Sequence, residues 1–213
     1  MFSRLVRILF KPSETMKDIA AAPDYSGVAI ILVFQIVLGI VSVALVLSKI
    51  EVTGPYADLF RSVFQTVIVA AFAISFILTP VKWLIKSLIV WKVCDVGSQW
   101  EFKRAASVTG YAYVANLIVS LVTLPLVPFI FPVIQIDTTN LEAARIWMES
   151  YTAQLAGLEF YFTLPTLFVA LLWKSYLGGV GTYHGTEEMC KVSGAFFLFF
   201  LLGLISVAIT LIT

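Results

Sequence analysis

An all-α bundle of about five membrane-spanning helices is predicted by three features of the sequence. Uncharged runs of membrane-crossing length recur along the 213 residues, where a hydrocarbon core needs about 20 residues of helix. The chain is 60% hydrophobic and 13% charged with a mean hydropathy of +0.98, against an apolar share of roughly 45 to 50% for a soluble domain. The bases also cluster in alternate connections between the apolar runs. With no polar linker between those runs, residues 1–213 read as one membrane domain.

The first 25 residues read as a cytoplasmic or interfacial segment. Arg4, Arg7 and Lys11 recur at helical spacing opposite Phe2, Leu5, Val6 and Leu9, which suits a short amphipathic helix in the headgroup region. These bases interrupt any continuous apolar core, so no cleavable signal peptide is expected. Pro12 stops this helix, and Ser13 is placed to cap a second one that Pro23 ends.

Spans are expected at about 27–47, 63–81, 107–124, 160–177 and 193–213. The first two are uncharged and are separated by a linker that Gly54 and Pro55 keep from being helical. Lys82 and Lys86, four residues apart, follow the second, and with Trp83 and Trp91 they read as interface residues whose ammonium groups reach out of the bilayer. Glu101, Lys103 and Arg104 precede the third run. Pro125, Pro128 and Pro132 should end or kink its helix, because each removes a backbone donor.

Thr139 to Glu142 fits a capping box, and apolar residues from Leu141 to Leu158 then recur every three or four positions. An amphipathic helix on the outer side between spans three and four is therefore expected. The fourth span requires Glu159 at one interface and Lys174 reaching for the other. The glycines at 178, 179 and 181 read as a turn, within a loop that leads to the last span.

With the N-terminus inside, eleven of the fourteen Lys and Arg residues face the cytoplasm, which places the C-terminus outside. Cys94 and Cys190 then face the cytoplasm as reduced thiols. Arg4, Arg7, Lys11, Lys82, Lys86, Lys103 and Arg104 are candidate contacts for anionic headgroups or a protein partner, a second copy of the chain included. A net charge of +1 gives no reason to expect nucleic acid.

Nothing in the chain points to an enzyme or a cofactor. A single histidine excludes multi-histidine metal sites, no serine lies in a G-x-S-x-G context, and the glycines match no phosphate-binding pattern. The intramembrane polar candidates are Gln65, Asn116, Glu159 and Thr163. Asn116, deep in the third span, calls for a partner such as Gln65 or a backbone carbonyl.

Three segments, ILFKPSETMKDIA near the start, FKRAASVTGYAYVANLI at the third span and TYHGTEEMCKVSGA before the last, resemble the Yip1 domain family of five-span membrane proteins. The brevity of the chain is most like the family's short prokaryotic branch. The resemblance implies a cytoplasmic N-terminus, an outward C-terminus and, in a prokaryote, the cell membrane. It further implies a non-enzymatic scaffold or adaptor, linked to membrane organisation or trafficking; Rab binding, known from eukaryotic members, is not carried over. Family members commonly have a proline shortly after the G-Y-A-Y element. Ala115 stands there in this chain, so a kink at that point is not assured. The alternative function is a small-solute or lipid transporter or channel using spans three and four.

Overall fold

The computed structural model describes residues 2–95, 100–130, 133–139, 142, 161–162 and 164–212. Its elements are α1 (Phe2–Phe10), α2 (Pro12–Ala21), α3 (Tyr25–Leu47), β1 (Ile50–Thr53), α4 (Ala57–Val93), α5 (Phe102–Ala112), α6 (Val114–Thr123), a 3-10 turn at Leu124–Leu126, α7 (Val127–Ile130), β2 (Ile134–Asp137), α8 (Leu164–Gly185) and α9 (Val192–Ile212). Helices at Tyr25–Leu47, Phe102–Ile130 and Leu164–Gly185 are long and apolar enough to cross a membrane, with a shorter apolar helix at Val192–Ala208. The architecture is an all-α membrane bundle.

The bundle is closed at one end and open along the rest of its length. At the closed end α2 lies against α5 and α8, and the first turns of α3 join them. Ile8, Met16, Ile19, Val28, Ile31, Val90, Val108, Tyr111 and Leu177 are all fully buried there. Further along, Phe34, Val37, Ile40, Ile74, Phe76, Ile77, Leu121, Val122, Phe168 and Ile205 point outward, as helices do when lipid is their solvent. α4 has 37 residues, about 55 Å of helix against a hydrocarbon core of about 30 Å, so it runs on past the apolar zone into the closed end.

The opposite end holds two short strands that the all-α expectation did not include. β1 follows α3 and β2 follows α7, and they pair in parallel from Ile50 with Ile134 to Thr53 with Asp137. Val52 and Ile136 are buried between the strands and Phe60. Gly54 turns the chain at a φ of +96°, where a side chain would collide with Thr138 and the Thr139 amide. The pairing fixes the far ends of the first and third spans together.

Several local expectations are corrected. Ser13 does not cap α2: Pro12 already occupies its first turn, where a missing N–H costs nothing, and the Ser13 hydroxyl lies 3.3 Å from His184 Nε2. The helix expected over 107–124 starts earlier, at Phe102, and its regular bonding is interrupted at Tyr113, where no proline stands. The Tyr113 amide bonds the Gly110 carbonyl at 3.1 Å, a tightened turn, and Gln35 Nε2 donates to the Tyr113 carbonyl at 2.9 Å.

The glycines at 178, 179 and 181 are helical, not a turn, because α8 continues to Gly185. They form a packing seam. A Cβ on Gly179 would sit 3.0 Å from the Val192 carbonyl and 3.1 Å from the Phe196 amide of α9, so glycine lets the two backbones meet. One on Gly181 would meet Met16 of α2 and Val108 of α5. The chain turns only after Gly185, at Thr186 to Glu188, where Glu187 and Glu188 take positive φ. The outer amphipathic helix predicted between Leu141 and Leu158 lies outside the described residues, apart from Glu142. Thr139, its expected cap, donates its hydroxyl to Asp137 at 2.7 Å.

Two glycine substitutions test this packing. A Cβ on Gly110 would fall 2.9 Å from Val28 Cβ, whereas one on Gly39 meets nothing within 4 Å. Thermal unfolding in detergent should show Gly110→Ala destabilised by about 1–3 kcal/mol. Gly39→Ala should be neutral or stabilised by up to about 1 kcal/mol. Equal effects at the two positions would contradict the α3–α5 contact.

Candidate functional site

The three segments singled out in the sequence meet at the closed end. α1 and α2 carry the first, α5 and the Tyr113 break the second, and the end of α8 with its turn the third. Asp24 joins the first to the second. Its Oδ1 caps α3 by accepting from the Ser26 amide at 2.8 Å and the Gly27 amide at 3.1 Å. Its Oδ2 accepts from the Tyr111 hydroxyl at 2.9 Å, and its own amide donates to Ser107 Oγ at 3.0 Å. Gly27 is required here, because a side chain would occupy the space of the Tyr111 hydroxyl. Burial of the Asp24 carboxyl works against its ionisation, but the bonds from Ser26, Gly27 and Tyr111 outweigh that and hold it at about 2.

The bases of α1 are satisfied within the same region. Arg4 donates to the Ala22 carbonyl at 3.2 Å and lies 3.8 Å from Asp24; Arg7 pairs with Asp18 at 3.0 Å; Lys11 lies 3.2 Å from Glu14. Arg7 and Lys11 remain largely exposed, so these pairs are weak and screened. Lys103 is exposed and Arg104 half-buried at the start of α5. Two tryptophans close the floor: Trp83 Nε1 donates to the Ala106 carbonyl at 3.0 Å and Trp91 Nε1 to the Trp100 carbonyl at 3.1 Å. Cys94 and Cys190, 96 positions apart, bring their sulfurs within 3.2 Å. Burial first, and the neighbouring Cys190 sulfur second, push the Cys94 thiol up to about 12.

A second group sits where the closed end gives way to the open bundle. Lys174 does not reach for an interface as expected: it is buried, with its ammonium 5.1 Å above the centre of the Tyr113 ring. Lys86, half-buried on α4, approaches the same ring at 5.8 Å. Lys82 is exposed one turn before it. Beside the two α4 lysines, a cavity of about 200 Å³ opens between α4 and α9, lined by Ile85, Ile89, Leu202, Ile205 and Ser206.

The other intramembrane candidates are scattered. Gln65 is exposed on α4 beside Ser62 and Thr66, far along the chain from the Tyr113 break. Asn116 makes no hydrogen bond to Gln65 or to any other described residue; the amide that serves the third span is Gln35. Glu159 and Thr163 lie outside the described residues. Sequence reasoning passed over Asp24, Tyr111 and the position of Lys174. The signal for Lys174 was present: it is the one Lys, Arg, Asp or Glu between Glu159 and Glu187, which marks a helix longer than the predicted fourth span.

The Asp24 cap predicts an acid profile. Its carboxyl is held below the ordinary value of about 3.9, so the stability it adds is fully present above about pH 4 and is lost as pH falls through about 2. Thermal unfolding from pH 6 to pH 2 should show this loss for the wild type. Asp24→Asn should unfold at a lower temperature at pH 6 and lack that component of the acid slope; an unchanged slope would contradict the assignment.

Comparison with known proteins agrees with this geometry. The Yip1 domain matches residues 6–212, which takes in α2 through α9 and the second half of α1. No curated protein and no solved structure matches the chain. A match over nearly the whole length, on a helical membrane bundle in which the three motif segments form one body, makes this chain a member of the Yip1 domain family.

Proposed function

We propose that this protein is a non-enzymatic integral membrane scaffold or adaptor that works through its closed end, facing the cytoplasm. The observation that carries this reading is the packing of α1, α2, α5 and the end of α8 into one solid body around Met16, Val108 and Tyr111. A body filled in this way presents a surface. Arg7, Lys11 and Lys103 are exposed on it, with Glu14 and Asp18 beside the first two, which suits anionic headgroups or an oppositely patterned protein. The excess of bases in the connections at this end supports a cytoplasmic orientation, and the family supports a multi-pass protein without catalytic activity. A cell-membrane location follows if the chain is prokaryotic.

The alternative, a transporter or channel through the third and fourth spans, needs a continuous polar path. Among the described residues the space between α5 and α8 is filled by Val108, Ala112, Leu177 and Val180, and no observation favours that reading.

The test is co-purification of the full chain from native membranes, with the lipids and proteins it retains identified. Wild type should carry anionic lipid or a protein partner above bulk abundance. Combined Arg7→Gln, Lys11→Gln and Lys103→Gln should lower that enrichment roughly tenfold or more, each base contributing on the order of 1 kcal/mol. An unchanged lipid and protein profile would overturn the role of this surface. A reporter active only in the cytoplasm should be silent when fused after Thr213; activity there would overturn the orientation.

A further inference from the structure

The lysines at the boundary between closed end and open bundle are not explained by packing. Lys86 and Lys174 approach one ring, which puts their ammonium groups within about 11 Å of each other, and Lys82 stands one turn from Lys86 on the same face of α4. None of the three forms an ion pair with a described residue. The Tyr113 ring attracts a cation through its quadrupole but carries no net charge, so it cannot neutralise two of them. Taking an ammonium group out of water is costly unless a counter-charge accompanies it, and this arrangement gathers several. It is an electropositive site without its anion.

The shape beside it says what kind of anion fits. The cavity of about 200 Å³ has Lys82 and Lys86 on its α4 side, while Ile85, Ile89, Leu202 and Ile205 supply apolar walls. α9 forms the opposite wall, and its neighbouring residues Phe197, Leu201 and Leu204 are exposed where lipid would surround the bundle. A free phosphate would leave those walls uncovered. A zwitterionic lipid would bring a quaternary ammonium towards three lysines.

We propose that the groove between α4 and α9 is a binding site for one anionic phospholipid, its phosphate held by Lys82 and Lys86 and an acyl chain lying on Ile85, Ile89, Leu202 and Ile205. Lys174 lies buried on the same ring, on the α8 side of the group. The site deepens the lipid side of the proposed function and rests on this end of the bundle meeting a bilayer. It differs from the surface bases in demanding a chain as well as a charge.

Native mass spectrometry of the full-length protein in detergent, titrated with dioleoyl phosphatidylglycerol or dioleoyl phosphatidylcholine, tests this directly. Wild type should retain one phosphatidylglycerol saturably and prefer it to phosphatidylcholine. Lys82→Gln with Lys86→Gln should weaken retention roughly thirtyfold, and Lys82→Arg with Lys86→Arg should keep it, which separates charge from folding. Ile205→Trp, which fills the groove and spares the lysines, should also lose the lipid. Lys103→Gln with Arg104→Gln should retain it.

Wild-type retention by either the double glutamine variant or Ile205→Trp overturns the site, whatever the surface bases do. Loss confined to Lys103→Gln with Arg104→Gln overturns the site but leaves the proposed function standing. Displacement by millimolar inorganic phosphate without lipid would overturn the requirement for a chain. Failure of the surface-base variants in native membranes, with retention here still dependent on Lys82 and Lys86, would overturn the proposed function alone.

Discussion

The Asp24 carboxylate is the interaction on which the closed end depends. It ends the N-terminal segment, starts the first span and receives the Tyr111 hydroxyl of α5, so one side chain fixes three elements. An N-terminal helix cap is ordinarily worth about 0.5–2 kcal/mol. Here the cap also takes a charge-assisted bond from a fully buried tyrosine, and the Asp24 amide uses the Ser107 hydroxyl. If this carboxylate were lost, the Ser26 and Gly27 amides would lose their acceptor and the buried Tyr111 hydroxyl would have to find another. The small residues around it, Gly27 and Gly110 above all, are what allow α3 and α5 to approach closely enough for these bonds to form.

From that anchor the two solvents of the protein divide the structure. Towards α1 and α2 the helices bury their side chains on one another, as in a soluble domain. Beyond the break at Tyr113 they turn apolar side chains outward and keep contact through Leu171 of α8 against Gly203 of α9, through the Phe168 and Phe200 rings, and through the strand pair at the far end. The break stands at the change of regime. The Tyr113 carbonyl accepts from the Leu117 amide at 3.1 Å and from Gln35 as a second donor, and the aromatic ring faces Lys86 and Lys174. Lys86 and Lys174 thus stand where the packed body gives way to the outward-facing helices.

The apolar helices were legible, because an uncharged run of about 20 residues has few other uses in a chain this apolar: three helices are long and apolar enough to cross a membrane and a shorter one follows. What escaped was what depends on partners distant in sequence. The glycines at 178, 179 and 181 suggest a turn when read locally, yet α9 and Met16 convert them into a helical contact surface. The break at Tyr113 has no proline to announce it, and the Gln35 amide that donates to its carbonyl lies 78 positions earlier. Lys174 suggests an interface residue until α8 proves longer and places it against Tyr113. Strands of four residues, each satisfied only by the other, carry almost no signal of their own.

The coupling between Asp24 and Tyr111 holds the first span to α5, and a double-mutant cycle measures it. Unfolding free energies of wild type, Asp24→Asn, Tyr111→Phe and the double variant, taken at pH 6 in one detergent, give the interaction between the two side chains free of their separate roles. A coupling of about 1–2 kcal/mol is the predicted result, with the double variant little worse than Asp24→Asn alone. Additive losses, with coupling near zero, would mean that the first span and the G-Y-A-Y element are held together by something other than this carboxylate.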